Sequence, residues 1–139
     1  MSTRFQATAV LMACVATLAA CGENSEQRAA RETVNRFYGA LKAHDARTAC
    51  QLMSPPVANG FLRASGEGGK ACVPGLRELF RQVSRSANPH LFDSTPHVES
   101  TLVRSGRATV VISNGYQRRH VDLARAGGRW QITGSPDIR

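Results

Sequence analysis

RATVVISNGYQRRHVDLARAGGRWQIT, residues Arg107–Thr133, is the stretch that decides the fold. Its first seven residues, through Ser113, are rich in β-branched side chains and read as a strand. Asn114-Gly115 follows, a pair that tolerates positive φ and is the strongest hairpin signal in the chain. Tyr116 to Ala124 alternates polar and apolar. Ala126-Gly127-Gly128 turns the chain again, and Arg129 to Thr133 supplies a last strand. On the N-terminal side, His97 to Val103 is strand-like and Arg104-Ser105-Gly106 is its turn. Four consecutive strands joined by tight turns predict an antiparallel meander.

Before Pro89 the period is helical. Glu26 to His44 carries Ala30, Val34, Phe37, Tyr38 and Leu41 on one stripe, with Arg28, Arg31, Glu32 and Lys42 outside it. Ser25 is the expected N-cap. Asp45 can cap a second, short helix through Cys50, Leu52 and Met53, which Pro55-Pro56 is expected to stop. The Gly- and Ser-rich segment Val57 to Lys70 reads as irregular surface. Pro74 can start a third helix with Leu76, Leu79, Phe80 and Val83 facing inward. Helices first and strands afterwards predict an α+β fold, with the helices on one face of a curved sheet.

The combination of VNRFYGALKAHDARTACQLMSP (Val34–Pro55) with a C-terminal meander ending in GGRWQIT resembles the NTF2-like superfamily, the SnoaL-like and ketosteroid-isomerase-like cone folds. The matching pieces are the long first helix, the break at His44-Asp45, the helix with Leu52 and the terminal Trp130 strand. The resemblance covers most of residues 26–134 and is nearest to small lipid-anchored bacterial versions. It implies a cavity between helices and sheet, in which some members catalyse and many only bind.

The N-terminus carries an address. Met1 to Arg4 is short and positively charged, and Phe5 to Ala16 is uncharged and mostly apolar. That apolar run is too short to span a bilayer, which needs roughly twenty residues, and it has the length of a signal-peptide core. Leu18-Ala19-Ala20-Cys21 then resembles the bacterial lipobox. Residues 1–20 are therefore expected to be a lipoprotein signal peptide that takes Cys14 with it. Cys21 is the expected lipidation site, residues 21–27 a short polar tether, and residues 28–139 a single domain. Two acyl chains anchor a protein stably, at about 0.8 kcal/mol per buried CH₂. The expected location is extracytoplasmic, anchored to the bacterial cell membrane.

With Cys14 removed and Cys21 lipidated, Cys50 and Cys72 remain. An even pair in an exported domain favours a disulfide. Neither lies in a C-x-x-C, and no histidine is close in sequence, so the reading includes no metal site and no cofactor.

The chain has 139 residues and a formal net charge of +8. Lys42 and Lys70 are the only lysines among the 18 basic residues, and the rest are arginines. They are dispersed, without interleaved aromatics, which argues against a nucleic-acid surface.

Four side chains are candidates for acid–base work: His97 and Glu99 on one strand, His120 and Asp122 on another. Each pair shares a strand face, and a carboxylate can orient an imidazole. The alternation opposes catalysis. Val121 and Leu123 take the face opposite His120 and Asp122, while Val98 and Leu102 oppose His97 and Glu99. The apolar faces should meet the helices, leaving the polar pairs to solvent. The leading expectation is a non-enzymatic cell-envelope lipoprotein that binds a small apolar ligand or an envelope protein. The alternatives are a cavity enzyme (isomerase, dehydratase or hydrolase type) using one of these four groups, and a structural domain that forms a homodimer through the open face of its sheet.

Overall fold

The structure is a computed structural model and describes residues 23–134. The segment expected to be a signal peptide, residues 1–20, and Cys21 lie outside the described residues. The first helix, α1, runs Ser25–Lys42. Its cap is Asn24 rather than Ser25. The Asn24 side chain accepts from the Gln27 backbone N–H at 2.8 Å, and the Gln27 side chain accepts from the Asn24 N–H at 2.9 Å. This reciprocal pair satisfies two helix-end donors. The polar stretch expected as a tether is thus helical from Ser25 onward.

The α1 stripe buries Ala30, Thr33, Val34, Phe37, Ala40 and Leu41. His44 ends the helix with φ at 55°, and the Asp45 N–H closes back on the Ala40 carbonyl at 2.8 Å. Asp45 then caps α2 (Ala46–Leu52), accepting from the Thr48 N–H at 3.1 Å and the Thr48 hydroxyl at 2.6 Å.

Pro55-Pro56 does not act as a stop. It opens a further helix, α3 (Pro55–Ala64), so the expectation of an irregular Val57–Lys70 is corrected over most of its length. Proline's missing N–H costs nothing in a first turn, and its φ is already helical. The α2 helix ends because Met53 turns extended and bridges to Ile132, while the Ser54 N–H donates to the Ile132 carbonyl at 2.8 Å. Ala58, Phe61 and Leu62 form the buried side of α3. In the loop that follows, Glu67 is buried to 4% exposure; Lys70 and the Gln82 amide (2.6 Å) both donate to its carboxylate.

The last helix, α4 (Cys72–Ser84), starts two residues earlier than Pro74 and buries Gly75, Leu76, Leu79, Phe80 and Val83. A Cys50–Cys72 disulfide ties the end of α2 to the start of α4.

The strands are β1 (His97–Arg104), β2 (Arg107–Ser113), β3 (Arg118–Ala126) and β4 (Arg129–Ile132). They form one antiparallel sheet in the order β1-β2-β3-β4, a meander as expected, and the sheet is open. The architecture is α+β. β3 begins two residues later than the alternation implies, because the Asn114 side chain accepts from the Tyr116 and Gln117 N–H groups and widens the turn.

The inner sheet face presents Ala108, Val110, Ile112, Val121, Leu123, Trp130 and Ile132 to the helices. One parity expectation fails. The pairing of β1 with β2 shifts between Val98 and Ser100, so Glu99 is a bulge. The extra residue exchanges the two faces beyond it. Thr101 and Val103 turn toward the helices in place of Leu102, which is 56% exposed on the outer face.

Candidate ligand cleft

Where the second half of α1 crosses the sheet, a cleft of about 130 Å³ opens at the end of the molecule that carries the β2–β3 turn. Its helical wall is Tyr38 and Leu41. The segment between α4 and β1 adds Leu91, Phe92, Ser94 and Pro96, and the sheet adds Ile112, Ser113, Asn114, Gln117 and Arg119. Phe92 is held by an edge contact with Phe80 at 5.6 Å, and Tyr38 by an edge contact with Phe37 at 5.3 Å. The apolar floor is therefore fixed by core packing.

Two polar groups mark the rim. Tyr38 is mostly buried, and burial pushes its hydroxyl up to about 12, against a smaller pull from the Arg119 charge. The hydroxyl stays protonated at physiological pH and can both donate and accept. Arg119 has the parity of Val121 and Leu123, so it lies on the inner side of β3, paired in register with Ile112. It donates to the Gln117 side-chain oxygen at 2.8 Å. A guanidinium carries five N–H donors in a fork suited to carboxylates.

An apolar cavity of about 150 Å³ accepts a benzene ring, whereas drug-sized pockets run to roughly 300–1,000 Å³. The cleft thus has room for one ring or a short acyl end, with an acceptor or anion at the rim. No Asp, Glu or His is among its lining residues.

The four acid–base candidates lie elsewhere. His120 and Asp122 are exposed on the outer sheet face, opposite buried Val121 and Leu123. Asp122 accepts from the Thr109 hydroxyl at 2.8 Å. Glu99 pairs with Arg118 at 2.6 Å, and His97 stands opposite Ser113 at the start of β1. The sheet therefore joins Glu99 to Arg118 and lines none of the four along the cleft. The sequence reading placed Tyr38 on the core stripe but passed over Arg119, although its parity with Val121 was legible.

Among the described residues, no helix is long and apolar enough to cross a membrane, and no group of three or more His, Cys, Asp or Glu side chains could hold a metal ion. No family model and no curated protein matches the chain. Among solved structures it is similar to a Campylobacter jejuni protein named as NTF2-like, at 13% identity and a TM-score of 0.45, over 76% of this chain and 97% of that one.

Proposed function

We propose that this chain is an extracytoplasmic lipoprotein whose domain binds a small molecule, apolar at one end and acidic or hydrogen-bond-accepting at the other. The observation that carries the reading is the cleft itself: an apolar floor of Leu41, Phe92 and Ile112 with Tyr38 and Arg119 at its rim. The lipobox at Cys21 and the Cys50–Cys72 disulfide support the location. Benzoate and hexanoate are suitable probes. In an NMR titration they should shift Phe92 and Ile112 resonances saturably, and Arg119→Gln should weaken binding about tenfold, the loss of one charge-assisted pair. Absence of any saturable shift would remove the proposal.

A partner surface on the outer sheet face is the second reading, favoured by the exposed Leu102. A second copy or an envelope protein would cover it. Leu102→Glu should then lower the mass seen by sedimentation of the purified protein, and an unchanged monomer in both forms would exclude self-association.

A further inference from the structure

We propose that the end of the domain formed by the β1–β2 and β3–β4 turns docks on anionic phospholipid headgroups, so that the cleft faces away from the membrane. The inference rests on the lipoprotein reading for the position of the anchor and on the structure for the docking face.

Both turns and the start of α1 meet at one end. The Arg125 N–H donates to the Gly106 carbonyl at 2.9 Å, which joins β3 to the β1–β2 turn. The Arg125 guanidinium donates to the Gly128 carbonyl at 2.6 Å and pairs with Glu26 in the first turn of α1. This end carries Arg104 and Arg107, opposite each other in register, and Arg129, opposite Ala126. All three are exposed, and no ion pair engages them among the described residues. Of the nearby carboxylates, Glu26 is matched with Arg125 and Glu23 with Arg31, while Glu32 lines a surface hollow together with Arg36 and Arg129. Arg104, Arg107, Arg129 and Arg36 outnumber the Glu32 carboxylate, so this end is cationic after its own pairs are formed.

The anchor point brings this end to the bilayer. Only Gly22 and Glu23 separate Cys21 from Asn24, the cap of α1. Three Cα steps span at most about 11 Å. The surface potential decays over a Debye length of about 8–10 Å at physiological salt, so a tether this short keeps the start of α1, whose Glu26 is paired with Arg125, near that field. A long tether would let the domain tumble out of that field. The cleft lies at the opposite end, beside Asn114 and Gln117. A seven-residue strand at about 3.3 Å per residue sets it roughly 20 Å farther from the lipid. An occupant of stated chemistry follows: a sheet of phosphate diesters, which guanidinium groups bind well.

The test uses the full-length protein reconstituted in vesicles of phosphatidylcholine alone or with phosphatidylglycerol. Single cysteines replace exposed Ala126, at the proposed docking end, or Tyr116, at the far end, and carry a fluorophore read against a headgroup quencher. Quenching at position 126 should rise severalfold with phosphatidylglycerol and fall back at high salt, while position 116 stays unquenched. The triple variant Arg104→Gln, Arg107→Gln, Arg129→Gln should abolish the lipid dependence, at roughly fivefold per charge. Equal quenching at position 126 in both lipids, or a lipid dependence that survives the triple variant, would overturn the proposal. Sedimentation with phosphatidylcholine vesicles reports the anchor separately. A protein without acyl chains leaves those vesicles, yet its arginine-dependent response to phosphatidylglycerol is still measured.

Discussion

Arg118 and Glu99 meet at 2.6 Å although their strands are not neighbours. β2 lies between them, and the contact arches over it on the outer face of the sheet. The bulge makes this geometry, because the extra residue in β1 leaves Glu99 outside the regular ladder. Glu99 is paired with Arg118 rather than with His97. The outer face is thus a solvated ionic surface, whose pairs contribute about 0–1 kcal/mol each.

It follows that His120→Ala and Asp122→Asn should each change stability by no more than about 1 kcal/mol, because exposed substitutions of this kind rarely do more. Benzoate binding should be unaltered in both. Denaturant unfolding and the NMR titration check this. Loss of ligand affinity in either variant would return the outer face to consideration as a site.

The α3–α4 packing gives a prediction with a change of sign. A methyl added at Gly75 would stand 2.8 and 2.9 Å from the two terminal carbons of Leu62, which is itself fully buried. Gly75→Ala alone should destabilise, because overpacking costs about 1–3 kcal/mol against the roughly 0.5–1 kcal/mol that alanine gains in a helix. In a Leu62→Ala background the space is open. There the same Gly75→Ala change should stabilise, and a urea double-mutant cycle reads the reversal.

Helix α1, the Asp45 cap and the four strands were legible because each is written in local periodicity or in a single capping residue. Apart from the Asn24 cap and the Asn114 turn, which are local, what was not legible depended on residues distant in sequence. A pair of prolines reads as a stop until Ser54 is seen hydrogen-bonded to Ile132, which ends α2 and frees the prolines to open α3. Leu102 sits inward on any unbroken alternation, and only the pairing with β2 shows the bulge. The cleft needed Phe92 folded in from a loop and Arg119 facing it from β3.

Breaking the Cys50–Cys72 disulfide, by double Ser substitution or by reductant, should cost roughly 3 kcal/mol by the loop-closure model for a separation of 22 residues. The loss should appear as a lower urea midpoint. Peptide mapping of exported protein without reductant should find the two half-cystines linked, and two free thiols there would contradict the pairing.

Tyr38 sets an alkaline limit. Its folded value of about 12 lies above the ordinary 10, so the folded state holds the proton more tightly. The contribution is complete below pH 10 and is lost as pH rises through about 12. In a Tyr116→Phe background the single remaining tyrosine should ionise near 12 by ultraviolet absorbance, and Tyr38→Phe should flatten the alkaline fall in stability. Ionisation at the ordinary value would mean that the hydroxyl is solvated.

Cys21 is expected to carry the lipid. Mass spectrometry of detergent-extracted protein should find an acylated residue at the new N-terminus, and Cys21→Ala should leave precursor unprocessed or release soluble protein. A fully processed membrane form of the Ala variant would point to another anchor.

Proteins confined to a surface meet their copies far more often than proteins free in solution, and an open sheet has two rows of unpaired backbone groups that could template such encounters. Here neither row is left unbroken. On one side, Met53 bridges to Ile132 and the Ser54 N–H takes the Ile132 carbonyl, so a four-residue β4 is already partly occupied. On the other, the bulge interrupts β1 and the Gln27 amide donates to the Thr101 carbonyl at 3.1 Å. A short, partly occupied edge on one side and a kinked, partly covered one on the other resist strand addition. The same irregularity that turns Leu102 outward thus guards against edge-to-edge aggregation, a protection that the proposed lipid-anchored form would need most.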